Sequence, residues 1–407
     1  MNRRNLLGLL GLAPLVAMTG LPGTNSLGPG TDGVGPRTAG VRPGTAGVRS
    51  GTDSLGPGTD GLRPGTDGVR PGTRGLGPGG AFDRLIAGLA AQDQFSGTVL
   101  LSHRGSTVLA RSYGLADRLH GVPNGPDTIF SLASAGKPFT GVAIAQLAQQ
   151  GKIEFGATLG TYLDGFPPAI ADTVTVHHLL THTCGLGDYL GSPAWQSQAP
   201  GFTSAAQEFQ AGLDIIRAEP LLFAPGTSYR YSNSGYFALG AIVAQVSGLS
   251  YYDYVQRNVP GPRFYPKPQR MSDPRFAHPY ATQPNGQRVD VSASEPFVGT
   301  PSGDACASAP DLVAFGHALI DARLLNPAYT GLMTSAKVPS PAGPFQAYGI
   351  LNAIVNNKVV LLHGGGSPGE STNLSIYPDL GWVAVILCNY DVDLRPILRL
   401  QDQLITQ

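Results

Sequence analysis

The pairing with the most direct chemical use in this chain is Ser134-Ala135-Gly136-Lys137, a serine three residues ahead of a lysine. A serine hydroxyl is a poor nucleophile at neutral pH and needs a neighbour to take its proton. Residues i and i+3 share a helix face, so a helical turn here brings the Lys137 amine to the Ser134 hydroxyl. Two further groups could join them. Tyr231-Ser232-Asn233 places a phenol and an amide just ahead of an apolar run from Tyr236 to Val246, and Asn233 is a candidate helix N-cap. His363-Gly364-Gly365-Gly366 ends a β-rich run with bare backbone, which can approach a ligand closely.

These groups are far apart in the chain, so the fold must bring them together. Pro138 to Gln150 reads as a helix, with Ala143, Ile144, Leu147 and Ala148 at helical spacing and Gly151 as its stop. Phe82, Leu85, Ile86 and Leu89 mark an earlier helix. Gly97 to Ser102 and Thr107 to Ser112 follow as a hairpin through His103-Arg104-Gly105-Ser106. Near the other end, Tyr348 to Val355 and Val359 to His363 flank Asn356-Asn357. Asn373 to Tyr377 and Trp382 to Asn389 flank Pro378-Asp379-Leu380-Gly381. A final helix carries Leu394, Ile397, Leu398, Gln401, Leu404 and Ile405. The predicted class is α+β: one antiparallel sheet built from both chain ends, terminal helices beside it, and a mainly helical region of about 134 to 325 inserted between, with a cleft where the two meet.

Composition bounds the function. With 407 residues, 42% of them hydrophobic, the chain can build a substantial core. A net charge of zero lacks the basic footprint of a nucleic-acid binder. Arg3-Arg4 precede an apolar stretch from Leu6 to Met18, the build of a secretory signal over residues 1–20, too short to span a bilayer. A secreted, periplasmic or cell-envelope protein is therefore expected, with no transmembrane segment after signal removal and both the general and twin-arginine routes open. Residues 21–80 carry a seven-residue repeat, approximately G/R-P-G-T-D-G-V/L. One aliphatic residue per unit, with glycine and usually proline, excludes a coiled coil and predicts an extended, disordered linker. The catalytic domain is expected over 81–407. Cys184, Cys306 and Cys388 cannot all pair within one chain; they are expected as packing residues, with one disulfide open to an exported protein.

With these motifs in place, the chain from about 82 to 405 resembles the serine β-lactamase and penicillin-binding superfamily, in its branch of class C β-lactamases, DD-carboxypeptidases, D-aminopeptidases and esterases. The resemblance rests on Ser134–Lys137, Tyr231–Asn233 and His363–Gly365, supported by His178–Leu186 and Pro225–Gly240. It implies the β-lactamase/transpeptidase-like fold and acyl transfer through Ser134, with Lys137 and Tyr231 sharing the proton traffic and either of them the base. It implies an oxyanion hole from the backbone N–H groups of Ser134 and Gly366, substrate binding by Asn233, His363 and Gly365, and no metal or organic cofactor. The partners implied are a small-molecule or peptide substrate, with the cell wall a further one. The chain departs from the penicillin-hydrolysing pattern in the strand motif, where lysine and hydroxyl residues are usual. Bare glycines cannot hold a substrate carboxylate by hydroxyl donation, and His363 is not a fixed cation at pH 7. That favours an ester or amide over a β-lactam or a carboxylate-ended peptide.

Other readings fit less well. Gly365-Gly366-Ser367-Pro368-Gly369 matches the G-x-S-x-G of α/β-hydrolases, but no histidine follows His363 to complete that chain order. His178 and His182 have the spacing of a metalloprotease pair without its glutamate, which makes them structural histidines. An inactive wall- or ligand-binding module is an alternative of another class, opposed by the intact Ser134, Lys137 and Tyr231.

Overall fold

A computed structural model describes residues 75–407; the expected signal segment and the repeat up to residue 74 lie outside the described residues. The packed chain reaches back past the expected start at Ala81. Leu76 is wholly buried against Phe82 and Ile86 of the first helix, α1 (Ala81–Ala91), and Ile397 and Ile405 of the last, α8 (Arg395–Thr406). An aliphatic residue that reads as part of a repeat unit is thus a core residue, because the two terminal helices leave an apolar gap that it fills.

The hairpin β1 (Gly97–His103) and β2 (Ser106–Tyr113) turns at Arg104 and Gly105, at positive φ of 51° and 80°. That geometry matches the twist of paired strands. After the helical region come β3 (Val338–Pro339), β4 (Phe345–Gln346), β5 (Leu351–Val355), β6 (Lys358–Ser367), β7 (Glu370–Tyr377) and β8 (Trp382–Cys388). Asn356 and Asn357, at φ 48° and 60°, make the β5–β6 turn. Asparagine tolerates this region better than most residues. The strands form one antiparallel sheet in the order β2-β1-β8-β7-β6-β5-β4-β3. The amino-terminal hairpin therefore lies beside the last strand, Val99 opposite Ile386, which is the expected assembly from both chain ends. β6 continues four residues beyond His363, because its glycines still pair with Ser371, Thr372 and Asn373.

Alternation of side chains sorts the two faces of the sheet. Val99, Leu101, Ala384 and Ile386 face the terminal helices. Leu100, Val385 and Leu387 face a larger core shared with α2 (Lys137–Gln149), α5 (Asn233–Ser247) and α7 (Ala309–Ile320). Between α2 and α5 in sequence lie α3 (Val176–Leu180) and α4 (Ala205–Ala218); α6 (Tyr251–Asn258) follows α5. Helix α2 is central and buried on nearly every side, with Phe139, Val142, Ile144 and Leu147 fully inside. Among the described residues no helix is long and apolar enough to cross a membrane. The three cysteines are buried and unpaired, and burial pushes their thiols up, Cys306 to about 12.

Helix α2 sits directly on the loop ahead of β5: a Cβ on Gly141 would lie 2.6 Å from the Tyr348 carbonyl oxygen and 2.9 Å from the Gly349 Cα. Gly→Ala in a helix gains up to about 1 kcal/mol in propensity. Here the obstacle is backbone, and overpacking costs about 1–3 kcal/mol. Gly141→Ala is therefore expected to lower stability, read as a lower midpoint in thermal or urea unfolding.

Candidate active site

The site begins with a strained turn. Ala133 has φ 45°. That conformation costs a non-glycine residue about 1 kcal/mol or more. Its surroundings hold it there. Leu132 N donates to Ala305 O, Asp304 N donates to Ala133 O, and Phe130–Ser131 pairs with Cys306–Ala307. Thr372 Oγ1 of β7 donates to Leu132 O at 2.8 Å. A short 3₁₀ turn, Ala133–Gly136, then leads into α2, so Ser134 stands partly exposed at the head of the helix and Lys137 is sealed beneath it.

Around Ser134 two of the expected chemical groups converge. Lys137 Nζ lies 3.1 Å from Ser134 Oγ, and the Tyr231 hydroxyl donates to the same oxygen at 2.8 Å. Nζ also donates to Asn233 Oδ1 at 2.8 Å and to the Ser302 carbonyl. It stands 4.7 Å from the Tyr231 ring centroid and 5.4 Å from that of Tyr236. Burial pushes the Lys137 ammonium down to about 7, against the charges of Asp188 and Asp304, which favour the protonated form. The Tyr231 phenol moves the other way: desolvation raises it far above its usual range, only partly offset by its hydrogen bond to Ser134. Near neutral pH the unprotonated amine is accessible and the phenolate is not.

Asn233 departs from its expected role. The N-cap of α5 is Ser232, whose Oγ accepts from Gly235 N at 3.0 Å, because the helix starts one residue earlier than the spacing implied. Asn233 is buried, and both ends of its amide are engaged inside the protein: Oδ1 with Lys137, and Nδ2 donating to Asp188 Oδ2 at 2.9 Å. In this structure its amide links the lysine to the Asp188 carboxylate.

The Tyr231 segment is held by the loop after α3. His182, at φ 59° and fully buried, accepts from Ser232 N at 3.1 Å through Nδ1 and lies 4.4 Å from the Tyr231 ring. Burial and the Lys137 charge hold it well below its usual range, so it is neutral. Ser232 Oγ donates to Gly187 O, and Tyr189 N donates to Ser234 Oγ. His178 does a separate task, its ring accepting from Thr175 N as a helix cap. The two histidines read as structural thus differ: one caps α3 and the other backs the phenol. Asp188 and Ser302 are site residues that the sequence did not mark. His182 was marked by its spacing to His178 and read as structural, without its place behind the phenol.

The other wall is β6. Its pairing with β5 ends at Leu362, so His363 to Ser367 run on with one backbone edge open, and Gly366 is exposed. Gly365 is fitted to the turn at Ser134: a Cβ there would lie 2.0 Å from Leu132 O, 2.4 Å from Thr372 Oγ1 and 3.0 Å from Ala135 N. Gly364 is different, with its nearest neighbours 3.6 and 3.9 Å from such a Cβ. His363 is 4% exposed, its Nδ1 within 2.8 Å of Gly364 O. Burial and the Lys137 charge push it down to about 3, so it offers no cation. Ser367 Oγ donates to Glu370 Oε2 at 2.6 Å and is no nucleophile elbow.

A hydroxyl flanked by a desolvated amine and a phenol, beneath an open strand edge, can carry out acyl transfer, and comparison with known proteins agrees. The sequence model of the Beta-lactamase family matches residues 82–405, and the chain belongs to that family. It is a serine hydrolase of the β-lactamase and penicillin-binding type, with esterases and amidases among its relatives and neighbours in fold. Penicillin-binding protein 4* of Bacillus subtilis is 28% identical over 327 residues, 75% of this chain and 70% of that protein. Esterase EstB of Burkholderia gladioli is 35% identical over 158 residues, which span 37% of this chain and 40% of EstB. The crystal structure of a penicillin-binding protein from Bacillus halodurans superposes with a TM-score of 0.68 at 26% identity, covering 78% of this chain and 98% of that one.

The fit of β6 against the turn gives a direct expectation. Gly365→Ala must push the strand off Leu132 O and Ala135 N, and a displacement of about 1 Å in such a site costs on the order of a hundredfold in rate. Gly364→Ala, where a Cβ has ordinary contacts, should stay within a few-fold of the parent in kcat/KM on the same ester.

Proposed function

We propose that this protein is an exported hydrolase that cleaves esters or amides through an acyl-enzyme on Ser134. The observation that carries the reading is the convergence of Lys137 Nζ and the Tyr231 hydroxyl on Ser134 Oγ at 3.1 and 2.8 Å. Unprotonated Lys137 takes the Ser134 proton as Oγ bonds to the substrate carbonyl carbon. The backbone N–H groups of Ser134 and Gly366 receive the charge that develops on the carbonyl oxygen. Tyr231, kept as a phenol, passes a proton to the departing alcohol or amine and recovers one from the Lys137 ammonium, which leaves the amine neutral again. Water then attacks the acyl carbon as the neutral Lys137 takes its proton, and that proton passes to Ser134 Oγ as its bond to the acyl carbon breaks and the acid is released.

The strand motif supports esters and amides over β-lactams. A penicillin or a D-alanine terminus presents a carboxylate, and this wall offers three glycines and a neutral histidine. Export is supported by Arg3-Arg4 and the apolar stretch after them, and a place at the cell envelope by the repeat that follows.

A short-chain p-nitrophenyl ester, a D-amino-acid anilide, a chromogenic cephalosporin and a D-Ala-D-Ala peptide form the test panel. Ester or anilide turnover should exceed cephalosporin turnover by at least about tenfold; the reverse order would overturn the assignment of substrate class. Ser134→Ala should abolish turnover and fluorophosphonate labelling with an unchanged melting temperature. Lys137→Ala should cost nearly as much, because members of one proton-transfer unit are not additive. The pH dependence follows from the amine: kcat/KM should rise with pH through about 7 as Lys137 loses its proton, and stay low below it. A rate that falls through that range would make the protonated lysine the active form.

A further inference from the structure

An uncharged amine has two N–H bonds and one lone pair. Two of the three neighbours of Lys137 Nζ, Asn233 Oδ1 and the Ser302 carbonyl, are acceptors only and occupy both N–H bonds. The lone pair is left facing Ser134, which is what a base needs. This arrangement holds only while Asn233 presents its oxygen. Turned over, the amide would point its NH₂ at Nζ, and its N–H would claim the lone pair. Lys137 cannot fix the choice by itself, since an amine can donate to the oxygen or accept from the nitrogen. The choice is made at the other end of the amide. Asn233 Nδ2 donates to Asp188 Oδ2 at 2.9 Å, and a carboxylate accepts without donating, so only one orientation satisfies it.

Asp188 is itself well seated. Its Oδ1 accepts from Leu190 N at 3.2 Å, and the loop on either side is tied to α5 through Gly187 O with Ser232 and Tyr189 N with Ser234. We propose that Asp188 is a positioning residue for acyl transfer, locking the Asn233 amide in the orientation that keeps the Lys137 lone pair on Ser134. The inference rests on Lys137 acting as the base of the proposed reaction. Asp188 has a second effect through its charge, which favours protonated Lys137 and opposes its desolvation. The other groups facing that amine are the Asp304 carboxylate, the Tyr231 and Tyr236 rings, and the neutral His182 and His363. Glu219 faces Asp188.

The test compares Asp188→Asn and Asp188→Ala with the parent, reading kcat, KM and their pH profiles on p-nitrophenyl acetate, with melting temperature as the control for folding. Asn at 188 keeps the size and can still accept, but it no longer forbids the turned amide; Ala removes the contact. Both variants should keep KM within about twofold. kcat should fall about tenfold in Asp188→Asn and further in Asp188→Ala, the scale of a lost hydrogen bond to a charged group. Loss of the charge should also move the acid limb of the profile to lower pH, by on the order of one unit. Unchanged kcat with an unmoved limb in either variant overturns the proposal. So does a loss seen only in KM or melting temperature, or a fall in kcat without the limb shift, each of which marks a merely structural aspartate. Fluorophosphonate labelling of Ser134 in the parent protein is scored separately, so failure of the acyl-enzyme reading is distinguishable from failure of this one.

Discussion

A single buried nitrogen organises this molecule's chemistry. Lys137 Nζ has no exposure to solvent, and what surrounds it comes from four separate parts of the chain: its own helix turn, the Tyr231–Asn233 segment, Ser302 and the loop at Asp188. Desolvation favours the neutral amine while the two nearby carboxylates favour the charged one. The balance falls near neutrality, where a base can accept a proton and return it. A lysine in water would be protonated at that pH and useless for the purpose.

The rest of the domain serves to keep that balance in place. Helix α2 must be buried nearly all round for the amine at its head to be dry, and it is enclosed by α5, α6 and the loop ahead of β5. The strained Ala133 turn can persist because β7 and the 303–307 segment bond to it while β6 packs against it. Strain and burial therefore lie in the centre, where each is opposed by many contacts. The partly exposed members of the group are the hydroxyl that must meet a substrate and the phenol beside it.

The sequence was informative where chemistry imposes local pattern. Period-two and period-3.6 runs marked the hairpins and the terminal helices, and the antiparallel sheet joined from both ends followed from their positions. Ser134, Lys137 and Tyr231 could be picked out because their types and order are unusual. Asp188 and Ser302 could not, since one acts from an ordinary loop and the other through its backbone carbonyl, which any residue possesses. Asn233 was visible as a polar residue at a helix start, but the start itself was one residue off, and its partners depend on tertiary packing. Leu76 looked like one more repeat unit; only the gap between two helices distant in sequence makes it a core residue.

The two adjacent glycines of β6 differ in what they permit. One is pressed so closely onto the turn before Ser134 that any side chain there would displace it, while its neighbour at 364 can take a Cβ at ordinary contact distances. The strand can therefore change at one of these two positions without endangering its architecture, and not at the other. A side chain could be acquired at 364 by one amino-acid replacement, and lost again, without moving the turn that carries Ser134.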